Sequence, residues 1–370
     1  MSRPNTPFKI VIAVPWLMLL FTAMLVLVGS LALYSASEGA WSPWAERHII
    51  RACLGVVMII VIAALPLRLI YDFSYAGLLG AVAVLAILPV IGVGTGAVRW
   101  IAIGGFNFQP SEPAKLALII ALARYFSTRQ PDDISRISSY IIPILMLAIP
   151  FGLVVTQPDL GTALMLMLGG LAVIFSAGLP KRYIFLSLAG VLASIPVIWS
   201  QLYDYQKARV MTFLNPEADM LGAGYQITQS KIALGSGGLF GKGFLMGSQS
   251  QLNYLPEKQT DFVFTMIGEE FGLVGNLVVL GVYLAILGGI FRIGLSSENR
   301  FSRLVCVGIA MMIFSYVFVN IAMVTGLLPV VGAPLPLISY GGTAMLSVFA
   351  ALGVVVNIAL HRQVEDAELQ

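Results

Sequence analysis

The stretch QSQLNYLPEKQTDFVFTMIGEEFG, residues 249–272, marks the point where a polar segment gives way to a long apolar helix. Five charged residues gather around this junction: Glu257, Lys258, Asp261, Glu269 and Glu270. A charged side chain near lipid costs free energy, so such residues are functional candidates by default. The role of this junction depends on how the rest of the chain is organised.

The composition predicts an all-α, polytopic membrane protein. Of the 370 residues only 11% are charged and 58% are hydrophobic, whereas a soluble domain carries about 25% charged residues. Several apolar runs approach or exceed the roughly 18 residues that mark a membrane-spanning helix. The net charge of +3 argues against nucleic-acid binding. Two cysteines inside apolar runs and two histidines do not support a disulfide framework or a zinc centre.

Apolar runs bounded by charged residues predict ten transmembrane helices. They cover residues 13–35, 48–66, 74–92, 113–127, 139–156, 160–178, 182–201, 262–291, 304–327 and 335–360. The first run is too long for a signal-peptide core of about 7–15 residues, so we interpret it as a span. We expect one integral membrane domain over residues 1–370, with seven helices in 13–201, a large extracytoplasmic loop in 202–261 between helices 7 and 8, and three helices in 262–360.

Basic residues predict the orientation of these helices. With a cytoplasmic N-terminus, twelve Lys and Arg residues fall on the inner side. The short outer loops then hold only Arg47, Arg51, Arg99 and Lys115. Short loops rich in Lys and Arg stay in the cytoplasm, so both termini are expected there.

Structureless loops as long as residues 202–261 are usually functional or disordered. This loop contains aromatic residues, amphipathic stretches and glycines, so we expect it to form an ordered cap. Its glycine-rich part, residues 222–243, fits either a phosphate cradle or tight turns and close helix packing. Gln226, Gln229, Ser230 and Lys231 lie there at helical spacing and are candidates to bind a sugar or phosphate. Arg209 fits either an interfacial belt or a phosphate ligand.

Three further charges, Glu112, Lys115 and Asp159, stand where the chain re-enters apolar sequence. They predict a shared polar pocket if the ends of their helices converge, and Glu112 and Asp159 are then candidate ligands for a divalent cation. The alternative is helix capping by Ser111 and Asp159 next to prolines.

Asp261 precedes the first turn of the predicted eighth span. It fits an N-cap, whose side chain accepts a backbone N–H. It equally fits a general base for a hydroxyl group, with Glu257 beside it. Capping alone does not account for the other charges around it.

Together the motifs resemble the SEDS family (shape, elongation, division and sporulation), over nearly the whole chain. The resemblance is carried by FNFQPSEPAKLAL (106–118), QPDLGTAL (157–164), GAGYQITQSKIALGSGGLFGKG (222–243), SQSQLNYLPEKQTDFVF (248–264), GEEFGLVG (268–275) and GLLPVVGAPLPLISYGG (326–342). GLFGKG followed by SQSQL resembles the cell-elongation branch more than the division branch. Pro113 departs from the usual family pattern but suits the first turn of a helix.

The resemblance implies a peptidoglycan glycosyltransferase that polymerises lipid II into glycan strands with β-1,4 bonds and releases undecaprenyl pyrophosphate. It implies that Asp261 is the essential carboxylate and that Glu112, Lys115 and Asp159 are important residues. Arg209, Lys231, Lys115 or a divalent cation such as Mg²⁺ or Mn²⁺ would then compensate the charge of the leaving group. Gln229, Ser230 and Glu257 complete the candidate substrate-binding set.

The resemblance also implies a setting and partners. The chain would lie in the bacterial plasma (inner) membrane, with a class B penicillin-binding protein and other membrane proteins of the elongation complex as partners. The sequence has no S-x-x-K and no K-T-G motif, so peptide cross-linking would fall to that partner. The rival interpretations are a flippase for lipid II, favoured by the intramembrane charges, and a non-catalytic scaffold of wall enzymes.

Overall fold

The computed structural model describes most of the chain as helices packed side by side. The described residues are 13–93, 98–104, 106–134, 136–202, 204–215, 222–251, 254–255 and 257–361. The α-helices are α1 Trp16–Ala36, α2 Trp44–Ala64, α3 Leu67–Asp72, α4 Ser74–Ile91, α5 Ser111–Ser127, α6 Pro131–Ile134, α7 Ile141–Thr156, α8 Leu160–Ser176, α9 Lys181–Gln201, α10 Asp204–Leu214, α11 Ala223–Ser236, α12 Ser248–Gln251, α13 Val263–Ser296, α14 Arg300–Val324 and α15 Gly342–His361. A short 3₁₀-helix, Ile137–Tyr140, precedes α7.

The prediction of an all-α polytopic membrane protein is confirmed at this level. Among the described residues, seven helical segments are long and apolar enough to cross a membrane: α1, α2, α4, Ile137–Thr156, α13, α14 and α15. The helix α8 is apolar but shorter. The helices α5 and α9 occupy the positions of the fourth and seventh predicted spans.

The centre of the bundle is formed by α14 and α15. In the most apolar 18 residues of each helix, 72% of those in α14 and 83% of those in α15 are buried, compared with only 22% of those in α4. The helix α14 packs against α13, α8 and α5, and α15 packs along α2. The last helix begins later than the predicted 335–360, because residues 333–341, with Pro334 and Pro336, form a loop against the end of the bundle.

A small β-hairpin, which the sequence reasoning did not predict, precedes α5. Its strands β1 (Ile101–Ile103) and β2 (Phe106–Phe108) pair antiparallel, with Ile101 opposite Phe108. The hydroxyl of Thr343, in the first turn of α15, donates to the Asn107 carbonyl (3.1 Å) and accepts from the Gln109 amide (3.2 Å). The hairpin therefore joins the start of α5 to the start of α15.

The long helix α13 is interrupted at Gly272, which has a φ of 68° and a ψ of −164°. These angles are accessible to glycine and strained for other residues. In an unbroken helix the amides of residues 273 and 274 would donate to the carbonyls of residues 269 and 270. The interruption releases these four groups, and buried backbone groups must find other partners.

The loop after α11 supplies those partners. The amides of Lys242 and Gly243 donate to the carbonyls of Glu269 and Glu270 (both 3.0 Å), and the amides of Leu273 and Val274 donate to the carbonyls of Gly238 (2.9 Å) and Leu239 (3.1 Å). Gly237 and Gly241 permit this approach, because a Cβ on either would collide with the backbone of residues 268–271. Gly237 and Gly241 therefore serve close packing, which is the second of the two interpretations of this segment.

Both glutamates next to the interruption have partners within the protein. The Glu269 carboxylate accepts hydrogen bonds from Lys242 Nζ (2.7 Å), Ser248 Oγ (3.1 Å) and the Gln249 amide (3.0 Å). The Glu270 carboxylate accepts one from the Ser35 hydroxyl at the end of α1. These two charges hold the loop and α1 against α13.

Candidate active site

Residues 257–262 form a compact turn immediately before α13. The amides of Thr260, Asp261 and Phe262 all point to the Glu257 carbonyl, at 3.2, 3.2 and 3.3 Å. The Thr260 hydroxyl also donates to the Glu257 carboxylate (3.0 Å). The turn thereby places the carboxylates of Glu257 and Asp261 on one short segment.

Two other parts of the bundle hold this turn. Asn320 of α14 is fully buried, and its amide nitrogen donates to the carbonyls of Asp261 (2.8 Å) and Ala333 (2.7 Å). The amide of Tyr340 donates to the Gln259 carbonyl (2.9 Å). The backbone of Asp261 is therefore fixed by the core of the protein, while its side chain remains available.

Asp261 does not cap the helix that follows it. The helix α13 begins at Val263, its N-cap residue is Phe262, and no side chain makes a capping hydrogen bond there. Within the described residues, no group donates a hydrogen bond to the Asp261 carboxylate. The capping interpretation of this aspartate is therefore not observed.

Burial is the largest cause that raises the pKa of Asp261, followed by the nearby negative charge of Glu257, and together they bring it to about 7. The guanidinium groups of Arg209 and Arg99 act in the opposite direction. Glu257 and Arg209 are exposed and Asp261 is partly buried. Gly332 leaves space beside the carboxylate, since a Cβ there would lie 3.4 Å from Oδ2. A carboxylate with such a pKa is suited to accept a proton near neutral pH.

Arg99 connects Asp261 to a second carboxylate, that of Asp159. Its Nη1 lies 3.7 Å from Asp159 Oδ2, which also accepts a hydrogen bond from Gln109 Nε2 (2.9 Å). Oδ1 of Asp159 accepts from the Thr162 amide (3.2 Å), so this aspartate is the N-cap of α8. The predicted capping role of Asp159 is therefore observed, and its second oxygen faces Arg99 and Gln109.

Glu112 and Lys115 lie in a closed cluster with Tyr316, a residue of α14 that is fully buried. Lys115 Nζ lies 2.8 Å from Glu112 Oε1, and the Tyr316 hydroxyl contacts both side chains. Glu112 and Lys115 are 3% and 1% exposed, so neither charge is open to solvent. Ser111 makes no capping bond, because Pro110 occupies the N-cap position of α5.

The oxygens of Glu112 and Asp159 thus accept hydrogen bonds from protein groups. Among the described residues, no group of three or more His, Cys, Asp and Glu side chains is arranged to hold a metal ion. The divalent cation stays a prediction.

The four candidates on α11 differ in their surroundings, and Gln226 is half-buried. Ser230 is fully buried, and its hydroxyl lies 2.7 Å from both the Thr265 hydroxyl and the Val324 carbonyl. Gln229 is half-buried and Lys231 is exposed, with its side chain lying over Gly326. Ser230 therefore joins α11 to α13 and α14, and Lys231 is the more accessible cation.

The structure adds residues that sequence reasoning had not selected: Arg99, Gln109, Tyr316, Asn320 and Tyr340. Tyr316 and Asn320 stand four residues apart in an apolar helix, and this spacing puts them on one face. That pair is a signal in the sequence. Arg99 and Tyr340 have no comparable signal, because their roles depend on contacts between distant segments.

A family model described as "Cell cycle protein" (FtsW, RodA and SpoVE) matches residues 10–364. The chain belongs to this family. The family resemblance inferred from the motifs is therefore confirmed. With seven long apolar helices in its described part, this member of the FtsW/RodA/SpoVE family is a multi-pass membrane protein.

Relatives and solved structures agree with this assignment. The chain is 43% identical over 354 residues to the peptidoglycan glycosyltransferase MrdB of Escherichia coli K12, covering 94% of each chain. It is 36% identical over 356 residues to the probable peptidoglycan glycosyltransferase FtsW of Trichlorobacter lovleyi, covering 92% of each. The rod shape determining protein RodA of Thermus thermophilus matches with a TM-score of 0.70 and 29% identity, over 94% of this chain and 97% of that one.

A further match is a chain from a structure described as "Structural coordination of polymerization and crosslinking by a peptidoglycan synthase complex". Its TM-score is 0.81 and its identity 31%, over 94% of this chain and 98% of that one.

Proposed function

We propose that this protein is the peptidoglycan glycosyltransferase of a cell-elongation complex, polymerising lipid II into β-1,4-linked glycan strands. The observation that carries the proposal is the Asp261 carboxylate. The backbone of Asp261 is held in place, its side chain does not cap a helix, and burial and Glu257 raise its pKa to about 7. The relation to MrdB, a peptidoglycan glycosyltransferase 43% identical over 94% of both chains, supports the substrate class.

In the proposed reaction, the 4-hydroxyl of the N-acetylglucosamine of lipid II attacks C1 at the reducing end of the growing strand. Asp261 accepts the hydroxyl proton as the new C–O bond forms. The bond from C1 to the phosphate oxygen breaks, so undecaprenyl pyrophosphate leaves with the electron pair and C1 is inverted. Protonated Asp261 then returns its proton to solvent.

The leaving pyrophosphate needs positive charge as it departs. Arg99 and Arg209 are the cations that act on Asp261, and Lys231 is exposed on α11. Lys115 is enclosed with Glu112 and Tyr316, and we propose that it acts through the rigidity of that cluster. Gln229, Ser230 and Glu257 stay proposed binding residues, and a Mg²⁺ or Mn²⁺ ion stays a proposed cofactor on which no step above depends.

For the membrane arrangement, we propose ten spans, with α5, α8 and α9 added to the seven long helices, in one domain with both termini in the cytoplasm. The excess of Lys and Arg in one set of loops supports this orientation. The loop 202–261 and the Asp261 turn then lie on the outer side. As partner we propose a class B penicillin-binding protein, supported by the likeness to a chain of a complex that coordinates polymerization and crosslinking.

The test is polymerisation of purified lipid II by the Asp261→Asn protein with its penicillin-binding protein. Asparagine keeps the shape but cannot accept the proton, and loss of a general base lowers rates by about 100- to 10,000-fold. The matched control is Asp72→Asn, an exposed carboxylate paired with Arg68 at 3.7 Å.

Full activity of folded Asp261→Asn protein would refute the assignment of Asp261. If the unmodified protein made no glycan but moved lipid II between the leaflets of a vesicle, the flippase would replace the polymerase. The buried charges Glu112 and Lys115 are the observation that favours that second candidate. A protein that did neither, but still recruited its partner, would be a scaffold.

A further inference from the structure

Two arginines of α2, Arg47 and Arg51, lie close to the hydroxyl group of Tyr340, outside the turn of residues 257–262. Arg47 and Arg51 stand four residues apart in the first two turns of α2, so they share a face. Arg47 Nη1 lies 3.5 Å and Arg51 Nη2 3.2 Å from the Tyr340 hydroxyl. The three side chains form a small basic site at the same end of the bundle as Asp261.

The surroundings of Arg51 hold its guanidinium group in place. The group lies over the Tyr340 ring at 4.3 Å and near the Phe106 ring of β2 at 5.9 Å. Gly342 makes room for it, since a Cβ there would lie 3.1 Å from Arg51 Cζ. Arg51 is half-buried, whereas Arg47 is exposed beside it. A guanidinium fixed on aromatic rings is preorganised to bind a planar or tetrahedral anion.

Neither arginine forms an ion pair with a carboxylate of the described residues, although Glu46 acts on Arg47 from a greater distance. Within the described ranges, no carboxylate lies within 4.0 Å of either guanidinium group. The Tyr340 oxygen accepts from both arginines, and within the described part of the chain its own O–H has no acceptor. Two adjacent cations repel each other, so an anion between them would be stabilising. Phosphate is the ligand whose geometry suits paired guanidinium groups.

The site is connected directly to the proposed reaction centre. The Tyr340 amide donates to the Gln259 carbonyl at 2.9 Å, two residues before Asp261. Asp261 itself is under the influence of a different pair of cations, Arg99 and Arg209. The proposed polymerisation uses two lipid-linked pyrophosphates at once, one on the growing strand and one on lipid II.

We propose that Arg47, Arg51 and Tyr340 form a second lipid-phosphate site, which holds the pyrophosphate of one of the two lipid-linked substrates while Arg99 and Arg209 face the other. The assignment to a substrate rests on the proposed polymerase function. The same chemistry would also take the phosphate of an anionic phospholipid headgroup, so the experiment separates the two sources.

The first measurement is equilibrium binding of fluorescent lipid II to Asp261→Asn protein in phosphatidylcholine nanodiscs, where no turnover occurs. In this background Arg47→Gln and Arg51→Gln each remove a charge-assisted contact, so affinity falls about tenfold for each change. Arg51→Lys keeps the charge but not the forked donor, and we expect an intermediate affinity. Arg68→Gln, on an exposed arginine paired with Asp72, is the matched control and should bind normally.

The second measurement is the KM for lipid II in proteins that retain Asp261. The Arg47→Gln/Arg51→Gln protein should show a KM raised at least tenfold. Addition of phosphatidylglycerol to the nanodiscs separates the sources. If phosphatidylglycerol does not change the effect of the arginine substitutions on the KM, the site holds the substrate pyrophosphate. If millimolar phosphatidylglycerol competes with lipid II, the site holds a headgroup phosphate.

An unchanged affinity and KM in folded double variant would overturn the phosphate site and leave the polymerase intact. Arginine-dependent lipid II binding by a protein that makes no glycan would overturn the polymerase and leave the phosphate site intact. Because Arg47 is exposed, its single substitution should preserve the fold, so it decides the matter even where the double variant misfolds.

Discussion

The turn that carries Asp261 and the cluster around Lys115 both contain carboxylates, but they differ in whether these carboxylates have partners within the protein. Lys115, Glu112 and Tyr316 contact one another inside the bundle, and all three are almost inaccessible to solvent. Asp261 has a fixed backbone but a carboxylate to which no described residue donates a hydrogen bond. Burial, followed by the negative charge of Glu257, raises the pKa of Asp261 to about 7.

This difference separates charges that stabilise the bundle from a charge that can do chemistry. A buried ion pair that is fully satisfied fixes geometry, and removing one partner is costly. A carboxylate without partners keeps its lone pairs for a substrate proton. The predictions below test each side of this contrast, beginning with the cluster.

Lys115→Ala should have the largest effect, because it leaves Glu112 buried without its cation. We expect the free energy of unfolding to fall by about 3–5 kcal/mol, seen as a lower melting temperature in detergent micelles. Glu112→Gln/Lys115→Met removes both charges and should recover most of the loss. If the single variant melts like the unmodified protein, the cluster does not stabilise the bundle.

The rate of polymerisation should depend on pH through Asp261. The base must be ionised to accept a proton, so activity should be maximal above pH 7. Below the pKa of about 7 it should fall about tenfold for each pH unit. Initial rates with saturating lipid II between pH 5 and 9 measure this profile. A flat profile across this range would exclude Asp261 as the titrating base.

Glu257→Gln should move the midpoint of that profile to lower pH, because Glu257 is a negative charge that raises the pKa of Asp261. Glu257 is exposed, so its effect is screened, and the rate at pH 6 relative to the plateau should rise only about two- to threefold. Arg209→Gln, which removes a neighbouring positive charge, serves as the opposite control and should move the midpoint to higher pH.

The last effect concerns stability. The pKa of Asp261 is higher in the folded protein than its ordinary value of 3.8, so folding favours the protonated form. The contribution of Asp261 to stability is therefore lost as pH rises from about 4 to about 7. Asp261→Asn avoids this loss, so its melting temperature should exceed that of the unmodified protein at pH 8, and by a smaller difference at pH 5. A variant that melts lower at pH 8 would show that the carboxylate stabilises the fold.

Much of the bundle could be predicted because apolar runs determine spans directly. The helix α4, Ser74–Ile91, differs from its predicted span 74–92 by one residue at one end. The hairpin at 101–108 was missed, because strands of three residues leave no periodic pattern. The interruption of α13 at Gly272 was also missed, since an isolated glycine in an apolar run does not reveal which backbone approaches it.

For the candidate site, the sequence indicated which residues are functional candidates, but it did not indicate which groups they contact. Asp261 was selected from its position at a polar–apolar junction, and Asp159 from its place before an apolar run. The sequence could not show that Asp159 caps α8 while Asp261 caps nothing. A residue caps a helix only if the helix begins directly after it. Helix boundaries predicted from sequence have an error of more than one residue, so capping could not be predicted.

The interruption at Gly272 also divides α13 into two parts, of which one alone is long enough to cross a bilayer. The whole helix of 34 residues would be about 51 Å long, far more than the hydrocarbon core of about 30 Å. The part after the interruption, residues 273–296, is about 36 Å long and is sufficient to cross by itself. The nine residues from Val263 to Phe271 are therefore not needed to cross the bilayer, and they can support the turn that carries Asp261 outside the hydrocarbon core. Glu269 and Glu270 belong to that first part, so a bilayer crossing by residues 273–296 does not require their charges inside the span.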